Sequence, residues 1–354
     1  HLPHHMYPHP LHGVTLPPPP TTIAPPSPCG CVSPHQITGR VAVLGGSAGR
    51  FPIDATTSWE IFDPNTRTWC RDLAPMRHGR LSPAAVTLAD SLYVVGGWAK
   101  SRSHTALAAV EIYNLSQGSW TAGPSTRMAR AEHCAMSFGG RIYVVGGSPA
   151  SNKSTASCEF LDPRVGRWME MAPLPSSRCF LGGVATEAGL FVTGGIGKDG
   201  HPVSNVDIFD HRMNRWVAGV PLPRPRSGHA AALLDEQVTV FGGRAAKEGA
   251  PVASVHIMDE IFGGWRDGPP MVDARDRLAG CALNGRLMTM GGVNAAKGEG
   301  SSNRALKALA LAGHGVRATS TVEVLGARGH WELTTPLSEP RSGATAVALH
   351  GYDH

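Results

Sequence analysis

An all-β fold, six similar sheets closed into one ring, is what this 354-residue sequence predicts. Three observations predict it: a di-glycine that recurs about every 50 residues, a tryptophan that follows each in phase, and a last segment that supplies the strand the first repeat lacks. A period of that length, with a buried strand in each unit, is the mark of β-propeller blades. Glycine (43 residues) and proline (29) also favour short strands joined by turns over long helices.

The di-glycines are Gly45-Gly46, Gly96-Gly97, Gly146-Gly147, Gly194-Gly195, Gly242-Gly243 and Gly291-Gly292, in steps of 51, 50, 48, 48 and 49. Each closes a short apolar run, from 41–44 in the first repeat to 287–290 in the sixth, as a buried strand ended by residues that need no Cβ. A variable loop follows, then a strand with a large apolar residue and, about seven positions on, a tryptophan. The pairs are Phe62 and Trp69, Tyr113 and Trp120, Phe160 and Trp168, Phe209 and Trp216, Met258 and Trp265, and Val324 and Trp331. These side chains are expected to pack between neighbouring blades, because one sheet cannot bury both faces alone.

With this pattern over 36–350 the sequence resembles the kelch family, and the run 172–178 (Ala-Pro-Leu-Pro-Ser-Ser-Arg) is most similar to the kelch-like substrate adaptors of cullin ubiquitin ligases. The resemblance implies a six-bladed kelch β-propeller of four-stranded antiparallel blades, with strands A to D from the axis outward and the B-C and D-A loops on one face. The innermost A strands are then 82–88, 132–138, 180–186, 228–234 and 278–283, whose small Ala and Gly residues suit a crowded axis. The first repeat begins at its B strand, 40–46, and the segment 341–349 is a spare A strand. The two ends therefore complete one blade, giving six, and the rival account is a seventh blade cut short.

Residues 1–35 form a Pro/His-rich, low-complexity tail expected to be disordered, and 36–354 form the propeller. From each tryptophan to the next second glycine the distance is 28 or 27 residues, whereas from that glycine to its own tryptophan it is 23, 23, 21, 21, 22 and 39. Length variation thus sits in the B-C loops, where function tends to be carried. The last B-C loop, 293–320, is longest; its run 304–311 has helical propensity and an apolar stripe, which suits either a partner-contacting helix or a disordered flap.

Arg80, Arg130, Arg178 and Arg226 stand 17 residues before the second glycine, Arg277 stands 15 before it, and Arg341 takes the matching place at the end. Such a ring either offers bidentate donors to the carboxylates of an acidic peptide or fixes each D-A turn by bonding backbone carbonyls. The resemblance implies that Arg-Ser-Gly elements, here Arg226-Ser227-Gly228 and Arg341-Ser342-Gly343, contribute to substrate binding. After the di-glycines stand Ser47, Trp98, Ser148, Ile196, Arg244 and Val293. Trp98 and Arg244 break that repeat and are expected to be an exposed aromatic anchor and an exposed cation. The candidate partner-binding set is therefore Arg80, Trp98, Arg130, Arg178, Arg226, Ser227, Arg244, Arg341 and Ser342.

The net charge is +5, but Lys and Arg are scattered singly, which argues against nucleic acid. No stretch reaches the apolar length of a membrane span, and the first 35 residues lack the core of a signal peptide, so a cytoplasmic protein is expected. Seven cysteines, with Cys70, Cys134, Cys158, Cys179 and Cys281 in strand-like segments, read as reduced thiols. Cys29 and Cys31 with the tail histidines have the softness for a metal but poor ligand spacing, and neither metal nor cofactor is expected.

Catalysis is the weaker expectation, because the sequence has few tyrosines and no clustered His pair on its loops, and Asp273 and Asp276 read as a solvated turn. The expected function is a non-enzymatic module that binds a peptide or protein partner on the B-C/D-A face. The resemblance implies the substrate-recognition part of a ubiquitin ligase, reaching cullin machinery through a BTB, BACK or F-box segment absent from this chain. Alternatives are actin binding and a small-molecule enzyme of the sialate mutarotase or galactose oxidase kind.

Overall fold

A computed structural model of the chain describes residues 39–48, 55–99, 105–150, 153–259, 263–295 and 316–349; the Pro/His tail and the run 304–311 lie outside them. No helix occurs among the described residues. Six four-stranded antiparallel sheets form the blades. Their A strands are Thr345–Leu349, Ala84–Leu88, Cys134–Phe138, Gly182–Thr186, Ala230–Leu234 and Ala279–Leu283, for blades 1 to 6. Blade 1 joins the two ends as expected: Thr345–Leu349 pairs antiparallel with Arg40–Leu44, with Val41 opposite Ala348. The ends of the last B-C loop are held as a two-stranded ribbon, Val293–Ala295 against Val316–Ala318.

Alternation within each blade explains the small residues at the axis. The A strands surround a channel of about 570 Å³, walled largely by their Ala and Gly residues. The B strands, such as Ser91–Val95, are buried on both faces between blades and read as continuous apolar runs.

Three sixfold sets of bonds tie blade to blade. Each strand-D tryptophan donates its indole N–H to a carbonyl in the preceding D-A connection: Trp69 to Thr335, Trp120 to Ala74, Trp168 to Pro124, Trp216 to Ala172, Trp265 to Val220 and Trp331 to Pro269, at 2.8–3.0 Å. The rings pack at a tilt on a strand-C partner, with centroids 4.9 Å apart for Phe62 and Trp69 and 5.0 Å for Phe209 and Trp216. In blades 3 and 6 the partner is Leu161 and Leu325, not Phe160 and Val324, because the register places the neighbouring residue opposite the tryptophan.

The di-glycines make the second set. Both glycines of every pair have positive φ, and the N–H of the second donates to the carbonyl of the arginine that precedes the next blade, as Gly97 does to Arg130 at 2.9 Å. A Cβ on Gly96 would lie 2.2 Å from the Arg130 oxygen. The di-glycine is therefore a blade-to-blade contact as well as a strand end.

The third set is a closed cycle at one mouth of the channel. Ser82 N–H donates to Gly343 O, Gly343 to Arg277, Arg277 to Gly228, Gly228 to Phe180, Phe180 to Glu132 and Glu132 to Ser82, all at 2.8–3.0 Å. All six residues hold φ between 51° and 61°. Cys134, Cys158, Cys179 and Cys281 are free and buried, but Cys70, half-buried in the outermost strand Thr68–Cys70, is disulfide-bonded, contrary to the expected thiol.

Candidate functional site

The arginines expected at the mouth run inward. Arg80, Arg130, Arg178, Arg226 and Arg341 are buried. Each Nη1 donates to the first di-glycine carbonyl of its own blade and to the carbonyl that precedes strand C, as Arg80 does to Gly96 O at 2.7 Å and Ala109 O at 2.9 Å. Arg341 spans the chain ends in this way, reaching Gly45 O and Ser58 O, both at 3.0 Å. Of the two readings of the ring, the structure places these side chains in the turn-fixing one. The sixth member is Arg275, bonded to Gly291 O at 2.9 Å, and not Arg277.

Five of the six arginines meet a buried carboxylate on strand C: Glu60, Glu111, Glu159, Asp207 or Glu323. The four glutamates also accept backbone N–H groups of the D-A turn, as Glu159 does from Arg127 at 2.7 Å and Met128 at 3.1 Å. A carboxylate so surrounded is fully satisfied, which is what makes a buried ion pair tolerable. In blade 5 the carboxylate position is His256.

Trp98 is buried rather than exposed; its indole donates to Glu132 Oε1 at 3.0 Å, drawn inward because the backbone after each di-glycine pairs with the residue after the arginine, here Leu81. Ser227 is buried in the matching pair with Arg244, and half-buried Ser342 pairs with Ser47. Arg244 is half-buried and held by Asp276 through Nε at 2.8 Å and through Nη2.

What reaches the mouth is the position two residues after each arginine, Ser82, Glu132, Phe180, Gly228, Arg277 and Gly343, of which the sequence pointed to Arg277 and the two Arg-Ser-Gly glycines but not to Ser82, Glu132 or Phe180. Four carry side chains in the left-handed region, which costs about 1–2 kcal/mol each. Strain of that kind gathers where surroundings impose it and function uses it. A signal was present in the sequence: this is a variable position in fixed phase within a constant frame.

Above the mouth lies a cavity of about 760 Å³, lined by Trp98, Glu132, Phe180, Arg277 and Ser342 with the B-C loops. Five cations reach it, Lys153, Lys198, Arg244, Lys247 and Arg277, against two carboxylates, Glu132 and Asp199. Half-exposed Arg277 rests its guanidinium over the Phe180 ring, 5.4 Å from the centroid. Burial raises the Glu132 carboxyl above its ordinary value, against the lowering effects of Trp98, Arg277 and Cys179. Burial, with Glu132 beside it, pushes the Cys179 thiol up to about 12, so it is no nucleophile. Among the described residues no group of three His, Cys, Asp or Glu side chains could hold a metal ion, and no helix is long and apolar enough to cross a membrane.

The family model described as the KLHDC2/KLHL20/DRC7 Kelch-repeats domain matches residues 82–292. Human Kelch-like protein 23 is 30% identical over 138 residues, 39% of this chain and 24% of that protein. Kelch domain-containing protein 8B of Rattus norvegicus is 33% identical over 141 residues, 37% of this chain and 38% of that protein. Human Kelch repeat and BTB domain-containing protein 13 is 31% identical over 127 residues, 35% and 27% of the two chains. The chain thus covers about a quarter to two-fifths of these relatives. The solved structure of YjhT superposes with a TM-score of 0.65 at 17% identity, over 75% of this chain and 86% of that one, a likeness of fold.

Proposed function

Because this chain belongs to the kelch-repeat family, we propose that it is a non-enzymatic interaction module whose central mouth holds an acidic segment of a partner protein. The observation that supports the reading most is the 760 Å³ cavity, where Lys153, Lys198 and Lys247, with Arg244 and Arg277 around Asp276, outnumber the carboxylates Glu132 and Asp199 on a rigid ring. Arg277 is the anchor: it is exposed, oriented by Phe180, and presents a planar fork suited to a carboxylate. Lys153, Lys198 and Lys247 on the B-C loops add a field that speeds encounter and fades with salt.

The test is binding of a fluorescent peptide of alternating Glu and Ser, read by anisotropy. Arg277→Glu is expected to weaken binding at least ten-fold, as loss of one charged hydrogen bond costs roughly 1.5–3 kcal/mol, and binding should weaken further as salt rises. Equal affinity in wild type and variant sinks the reading.

The finer proposal is substrate recognition for a ubiquitin ligase, with cullin contacts made by a segment outside this chain. It rests on the likeness to a BTB-containing relative. Capture of a cullin by the full-length protein, lost when the segment outside the propeller is removed, is its expected result. Cosedimentation with actin filaments and no cullin capture would favour the cytoskeletal alternative.

A further inference from the structure

We propose that blade 5 carries a second ligand site, a cavity that accepts a carboxylate side chain of a partner beside the one ring arginine that has no carboxylate of its own blade. The inference stands apart from the central mouth and does not rest on it.

The other five blades are the template. In each, a buried strand-C carboxylate meets the buried arginine: Glu111 lies 2.8 Å from Arg80, Glu159 lies 2.6 Å from Arg130 and Glu60 lies 3.2 Å from Arg341, with Asp207 on Arg178 and Glu323 on Arg275. Blade 5 keeps the arginine. Arg226 donates through Nη1 to Gly242 O at 2.9 Å and Ser254 O at 2.8 Å, and through Nη2 to Ser254 Oγ at 2.6 Å. Among the described residues, however, no carboxylate comes within ion-pair distance of it.

Beside this arginine lies a cavity of about 420 Å³, lined by Arg224, Arg226, Ser254, His256, Asp267 and neighbouring backbone. His256 stands in the carboxylate's position, 94% buried, and neither ring nitrogen has a hydrogen-bond partner among the described residues. Asp267 Oδ1 lies 3.0 Å from His256 Nδ1 without hydrogen-bond alignment, and its side chain is 90% exposed. It forms no ion pair with Arg226.

Two cations and the His256 imidazole, whose Nδ1 lies 3.0 Å from Asp267, thus face an opening with that one rim carboxylate. Arg226 is desolvated and has Arg224 beside it, and both hold its guanidinium down at about 10. An incoming carboxylate would accept from Arg226 Nη2 as Glu159 does from Arg130 Nη2, with exposed Arg224 at the entrance.

The test uses N-acetylglutamate amide, followed by NMR at the Arg226 and His256 side chains, in wild type, His256→Glu and Arg224→Glu. Wild type is expected to show saturable shifts at both residues, with inorganic phosphate at least ten-fold weaker. His256→Glu should restore the five-blade pattern, losing ligand binding and raising Tm by roughly 1–2 °C. Should that variant fail to fold, Arg224→Glu on the surface must still weaken binding at least ten-fold. Unchanged affinity in a folded His256→Glu protein or in Arg224→Glu, no saturable shift in wild type, or equal binding of phosphate each overturns the proposal. Arg277→Glu, at the central mouth, is expected to leave this binding unchanged, so failure here and failure of the central reading are told apart.

Discussion

Arg130→Ala is expected to lower the unfolding free energy by about 3–5 kcal/mol, the cost of leaving one member of a buried ion pair alone. Arg130 and Glu159 are both buried, 2.6 Å apart, and Arg130 also satisfies Gly146 O at 2.9 Å and Ser157 O at 2.8 Å. Deletion strands a carboxylate and two carbonyls in the interior, where water cannot replace the donor. Arg226→Ala should cost less, about 1–3 kcal/mol, because no carboxylate is stranded with the carbonyls. Urea unfolding of both variants checks the order. If Arg130→Ala keeps full stability and loses only partner binding, the arginine ring is a recognition surface and the turn-fixing assignment is wrong.

Gly96→Ala has the second large effect, about 2–5 kcal/mol. Two terms add: the left-handed backbone at φ 61° costs about 1–2 kcal/mol with a Cβ, and forcing atoms into a packed contact costs about 1–3. The contact is severe, with the new carbon 2.2 Å from Arg130 O and 2.8 Å from His133 Cε1. Gly139→Ala is the control, since φ is 55° there and nothing lies within 4 Å of the added carbon, so only the first term remains. Thermal unfolding of the two should differ by the clash alone; equal losses would mean that the di-glycine is needed for its φ and not for the approach of the next blade.

The blades were legible because their signals are local and repeated. Di-glycines and tryptophans hold constant separations, and the same contact is made six times, so phase alone locates them. The candidate site was legible only in its neighbourhood. Arg275 and Arg277 sit two residues apart around a left-handed turn, and spacing alone did not tell the inward side chain from the outward one. Trp98 was expected outside because it breaks the repeat, yet it is buried against Glu132 of the next blade, 34 residues away.

Periodicity and count alone located the six repeats and the spare strand that closes the ring as Thr345–Leu349, while the face that carries the variable loops followed from the family resemblance. Tertiary structure decided which side chains are presented. The arginines turn in because buried carbonyls and carboxylates of their own blade need donors, the residues two positions on turn out because the hydrogen-bonded cycle fixes their φ, and blade 5 is left open because His256 cannot answer Arg226. Each of these is a relation between residues distant in the chain, and only the closed ring brings them together.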